Sequence, residues 1–141
     1  MNTPAMTNEA RENIRKHVLA SLKYMENGQL MLNKQEAGKA SELLWGGVSQ
    51  ALEALAESRN IRLSNHRSLR WFVGELSRET GDKSINGAFY QAEALHSNFH
   101  SVDMTVKDVA TNVDAIRDLV SKLLSMIPRE LREKESQNQN K

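Results

Sequence analysis

A chain of 141 residues is long enough for one domain with a substantial core. A net charge of +1 excludes a global field that would drive it onto nucleic acid or membrane, so any such contact must be local. The absence of cysteine excludes disulfides, thiolate metal sites and cysteine nucleophiles, and fits a reducing cytosol.

Residues 1–7 read as a frayed start. Thr7 or Asn8 can cap a helix over 8–26 whose first turn carries Glu9 and Glu12, the right sign for the helix dipole. Ile14, Val18, Leu22 and Met25 form its apolar stripe, and Asn27-Gly28 is a stop signal because both residues tolerate a left-handed backbone. Asn33, with Glu36 three residues on, resembles a capping box for a second helix over 34–58. There Ala40, Leu44, Gly47, Val48, Ala51 and Leu55 share one face. Gly46-Gly47 sits in mid-helix, where each Gly costs about 1 kcal/mol against Ala. Tolerating the pair requires that another helix, or a symmetry mate, approach the backbone closely. Trp45 beside it reads as an anchor in a groove, between helices or in a dimer interface.

Ser64 or Asn65 caps a third helix over 66–80, with Leu69, Phe72, Val73 and Leu76 inward and a stop at Thr80-Gly81. Asp82 caps a fourth over 83–100, with Ile85, Phe89, Ala92, Leu95 and Phe99 inward. Ser101 or Asp103 restarts the chain as a fifth over 104–127, on a long stripe from Val106 to Ile127, and Pro128 stops it. Residues 128–141 read as a polar, disordered tail behind a single domain over 1–127. No stretch alternates long enough to be a strand. The expected class is therefore all-α, an up-down bundle of four to five antiparallel helices. No apolar run reaches the roughly 20 residues of a membrane helix, and residues 1–17 hold no apolar signal core. A cytoplasmic location without membrane contact is the expectation.

Three groups of side chains could carry chemistry. Arg59, Arg62, Arg67 and Arg70 lie in a run from Arg59 to Phe72 with no acidic residue. Guanidinium forks match phosphate oxygens, and an exposed Trp71 can stack a base. The alternative is a solvated face whose arginines pair with Glu57, Glu75 and Glu79. Glu93, His96 and His100 share one helix face. Imidazoles at i and i+4 can share a metal with Glu93 or Asp103, but no second Glu-x-x-His exists, so neither metal nor cofactor is expected. More often such histidines bond a neighbouring helix. His66, in the first turn of the third helix, reads as structural. No Walker loop, dinucleotide fingerprint or nucleophile elbow is present.

Three stretches also carry a family resemblance. Lys39-Ala-Ser-Glu-Leu-Leu-Trp-Gly-Gly-Val-Ser-Gln-Ala-Leu-Glu-Ala-Leu-Ala56 resembles the central helix of the PaREP-type archaeal proteins, a branch of the HEPN superfamily of helical bundles. Asn65-His-Arg-Ser-Leu-Arg-Trp-Phe-Val73 and Ala92-Glu-Ala-Leu-His-Ser-Asn-Phe-His100 agree with that family in order and spacing. The resemblance covers about residues 14 to 127. It implies an HEPN-like bundle that often forms a homodimer, here expected through Trp45, Gly46 and Gly47, and an association with RNA or nucleotides. Many HEPN proteins are metal-independent, toxin-like ribonucleases, some encoded beside a nucleotidyltransferase partner. Their motif is an Arg followed, after four to six residues, by His. With His96 as that His, the Arg positions hold Phe89, Tyr90 and Gln91. Arg11 with His17 and Arg59 with His66 fit the spacing in other elements. The expected function is a non-catalytic module binding RNA, nucleotide or a protein partner through Arg59, Arg62, Arg67, Arg70 and Trp71. The alternative is a ribonuclease with a non-standard pair, Arg59 with His66 or His96 with His100.

Overall fold

The computed structural model describes residues 6–97 and 104–133. Six helices and no strand occur among them: α1 Asn8–Asn33, α2 Ala37–Ser58, α3 His66–Thr80, α4 Lys83–Ser97, α5 Val106–Ser125 and α6 Arg129–Arg132. None is long and apolar enough to cross a membrane.

α1 begins where Thr7 caps it, its hydroxyl accepting from the Ala10 N–H at 3.1 Å. It does not stop at Asn27-Gly28. Gly28 lies on the buried stripe Ile14, Val18, Ser21, Met25, Gly28 and Leu32, and a Cβ there would sit 2.9 Å from Leu44 Cδ2. The glycine admits a neighbouring side chain rather than ending the helix. α1 therefore runs to Asn33, and a three-residue turn follows in which Gln35 takes a positive φ of 66°. The capping box expected from Asn33 and Glu36 is not formed. The Asn33 side chain accepts from Gln29 instead, and Glu36 occupies the cap of α2 without a side-chain bond to it. The turn is closed by backbone, the Glu36 N–H donating to the Met31 carbonyl at 2.9 Å.

α2 is the central helix. All six residues expected on its inner face are buried, and so are Ser41, Trp45, Leu52, Ala54 and Ala56, because α2 packs against α1, α3, α4 and α5. The α1–α2 pair is antiparallel: Gly28 meets Leu44, Ser21 meets Gly47 and His17 meets Gln50. The close approach at Gly46-Gly47 is made by α1 of the same chain. A Cβ at Gly46 would lie 3.0 Å from the Tyr24 ring, and one at Gly47 2.6 Å from Met25 Sδ. The Ser21 hydroxyl donates to the Gly47 carbonyl at 2.7 Å, so this fully buried polar group in the seam is satisfied.

The start of α3 is fixed by a capping box between Asn65 and Ser68, and its end by Gly81 in the left-handed region, φ 73°. Asp82 accepts from the Ser84 N–H and hydroxyl at the head of α4 and pairs with Lys122 of α5. These bonds hold the Asp82 carboxyl down to about 2. α4 runs antiparallel to α3 (Arg70 to Glu93, Ser77 to Asp82) and to α5 (Gln91 to Asn112, Ser84 to Lys122). Phe99, Ser101 and Asp103 lie outside the described residues. α5 is capped by Thr105, in a capping box with Asp108. Beyond Pro128 the chain is not immediately a tail: α6 buries Leu131 against the core, a residue the charge-rich composition of that stretch conceals.

Candidate functional site: two histidines on Trp45

Trp45 projects from α2 toward α3 and α4 and is 7% exposed. Three rings pack on it: Phe89 and His96 of α4, with centroids at 5.7 and 5.0 Å, and His66 of α3 at 5.2 Å. The His96 ring is nearly parallel to the indole, at 18°. The two imidazoles are 5.4 Å apart. Trp45 thus fills a groove between helices of its own chain and serves as a floor for two histidines from different helices.

Local structure explains the placement. The Asn65 cap sets the first turn of α3, and with it His66, against α4. His96 follows Phe89 by two helical turns, so it lies over the same flank of Trp45. Each ring has a carboxylate at Nδ1: Glu93 Oε2 lies 3.4 Å from His66, and Glu42 Oε1 lies 3.2 Å from His96. Glu93 also accepts from Arg70 at 2.6 Å, and its side chain is only 14% exposed. A carboxylate at Nδ1 orients an imidazole and favours the tautomer that leaves Nε2 as a base. Among the described residues no three His, Asp or Glu side chains converge as a metal ion would need. Glu93 and His96, although on one helix face, reach to different helices.

The arginine run divides into two pairs. Arg59 forms a two-pronged bond to Glu79 at 2.8 and 2.9 Å, which lowers the Glu79 carboxyl, and Arg70 is bound to Glu93. Arg62 and Arg67 are exposed and make no ion pair among the described residues. Arg67 lies one turn from Trp71, which is 52% exposed. Of the three expected acidic partners, Glu79 takes Arg59, Glu75 takes Arg78, and Glu57 takes none among the described residues. Arg59 and His66 do not come together. The Arg59 guanidinium is held at the last turn of α3, about 20 Å along the helix from His66 at 1.5 Å per residue. His17 bonds Gln50 of α2 at 2.7 Å, inside the α1–α2 seam. His100 lies outside the described residues.

The pairing of His66 with His96 was not legible along the chain. The signal that could have led to it is Glu42-x-x-Trp45 on α2 facing Glu93-x-x-His96 on α4, one acid and one aromatic a turn apart on each helix.

The model of the archaeal PaREP1/PaREP8 family matches residues 16–120, which span Trp45, His66, Arg67, Glu93 and His96. No curated protein and no solved structure matches the chain. With three quarters of its length under that match, the chain belongs to the archaeal PaREP1/PaREP8 family.

Proposed function

We propose that the chain is an HEPN-like helical module that binds RNA or a nucleotide through its phosphates. The contact surface is the connection that leads into α3 and the first two turns of that helix, together with the histidine pair on Trp45. The observation that carries this reading is the pair Arg62 and Arg67: exposed, without an ion-pair partner among the described residues, and flanking His66 in the chain. Arg59 and Arg70 are taken by Glu79 and Glu93, so they support the surface rather than grip a ligand. Trp71 offers a face for a base.

With two phosphates neutralised on single-stranded RNA, log K should fall with log salt at a slope of about −1.4, from roughly −0.7 per contact. Arg62→Ala with Arg67→Ala should bring the slope close to zero and leave the helical circular dichroism unchanged. A slope unmoved by that double substitution removes the surface from the account.

A second reading, metal-independent RNA cleavage, is favoured by the two imidazoles 5.4 Å apart, each with a carboxylate at Nδ1. One imidazole would take the proton of the ribose 2′-hydroxyl as its oxygen attacks phosphorus. The other, protonated, would give its proton to the departing 5′ oxygen, with Arg67 on the non-bridging oxygens. Incubation with RNA in excess chelator separates the readings. A gel shift with intact RNA supports the module. Cleavage abolished by His66→Ala and by His96→Ala, each alone, supports the enzyme.

A further inference from the structure

α1 carries two seams, one residue out of step. The first, from Ile14 to Leu32, is buried against α2. The second runs Glu12, Arg15, Leu19, Leu22, Glu26 and Gln29, stepping alternately by three and four, the spacing of a seam between two helices. All six line one open groove of about 1170 Å³ between α1, α5 and α6. Val120 and Leu124 of α5 form its far wall. Leu19 is 65% exposed and Leu22 50%, although a leucine gains about 1.5–3 kcal/mol from full burial. This face of α1 has the spacing of a helix-pairing seam, and within one chain its leucines stay exposed.

We propose that the helix that pairs with this face is α1 of a second copy of this chain, running antiparallel about a two-fold axis that passes between Ala20 and Ser21. The seam is self-complementary about that point. Leu19 faces the second copy's Leu22, and the reverse. Arg15 faces Glu26 at both ends, and Glu12 faces Gln29. A two-fold contact requires such matching of a surface to itself. Within one chain Arg15 has no ion-pair partner among the described residues, and Glu26 has only Lys23 at 3.9 Å. From Glu12 to Gln29 the seam is about 26 Å long, close to five turns. Residues 134–141, which follow Glu133 at the rim of the groove, carry no apolar side chain that could fill it. Trp45, Gly46 and Gly47 take no part, since α1 of the same chain and the rings of α3 and α4 already cover them.

The test is sedimentation of the full chain from about 1 to 100 micromolar, a range that detects dissociation constants weaker than a stable dimer needs. The expected species has twice the 15.9 kDa mass of one chain. Leu19→Glu with Leu22→Glu should reduce it to one chain without loss of helical circular dichroism, since both side chains face water in the single copy. Arg15→Glu should weaken association about tenfold by setting like charges together at both ends. Arg15→Glu combined with Glu26→Arg should recover it. A wild-type species of single mass at 100 micromolar overturns the proposal and leaves the groove to a different protein. A dimer that survives the leucine pair places the interface elsewhere. Failure of the charge reversal to recover association overturns the antiparallel register.

Discussion

α2 meets its neighbours in two different ways. Against α1 it packs side chain on glycine backbone, with Gly28, Gly46 and Gly47 admitting Leu44, Tyr24 and Met25. Against α3 and α4 it packs through a large ring, Trp45, whose far side carries two imidazoles and the Glu42 carboxylate partly open to water, with the Glu93 carboxylate largely covered. The first contact is close and mostly apolar, and its polar groups bond one another across it, Ser21 to Gly47 and His17 to Gln50, so it sets the spacing of the bundle and presents little to a ligand. The second leaves titratable groups held in place at the surface, which is where ligand chemistry can occur.

The largest effect should come from the second contact. Trp45→Ala removes the floor under both histidines, and truncating a buried Trp costs about 3–5 kcal/mol. Denaturant unfolding should record that loss. Histidine NMR signals should move together in Trp45→Phe, which keeps a ring there. Independent movement of the two would mean they do not share the site.

The glycines sharpen the comparison next. Gly47→Ala gains about 1 kcal/mol of helix propensity but forces Met25 aside, and overpacking costs about 1–3 kcal/mol, so a net loss near 1 kcal/mol is expected. Gly74 of α3 and Gly87 of α4 have nothing within 4 Å of an added Cβ. Gly74→Ala and Gly87→Ala should each stabilise by up to about 1 kcal/mol. Opposite signs at these positions, read from midpoints of unfolding, are the signature of close packing confined to the α1–α2 seam. Equal signs would refute it.

Smaller effects come from single carboxylates, and their signs differ. Burial raises the Glu53 carboxyl on α2, against the opposing pull of His17. A raised acid keeps its proton longer in the folded state, so its contribution falls as pH rises through the folded value. Glu53→Gln should therefore raise stability at neutral pH, by less than about 1 kcal/mol for a group only partly buried, and change nothing at low pH. Asp82 is the reverse case. Its carboxyl is held down to about 2 by Ser84 and Lys122, so its contribution is present above the unfolded value, about 3.9, and lost as pH falls toward 2. Asp82→Asn should flatten the acid limb of a stability profile between those values and leave the neutral region close to wild type in slope.

What the sequence determined by itself was local. Asn65 before α3, Gly81 after it, Asp82 before α4 and Pro128 after α5 act through backbone groups a few residues away, so they mark boundaries that hold wherever the chain folds. The buried stripes of α2, α3 and α5 follow for the same reason, since helical period depends only on spacing. Tertiary structure decided the rest. Gly28 carries the signal of a helix end, but Leu44, 16 residues on, approaches it and makes it a packing position. The arginine run is free of acids along the chain, yet Glu79 and Glu93 reach two of its four members from later turns. His66 and His96 are 30 residues apart and meet only because Trp45, on a third helix, gives both rings the same surface to bury. Spacing cannot report a contact whose energy comes from area shared between distant segments, because that area exists only once the helices are packed.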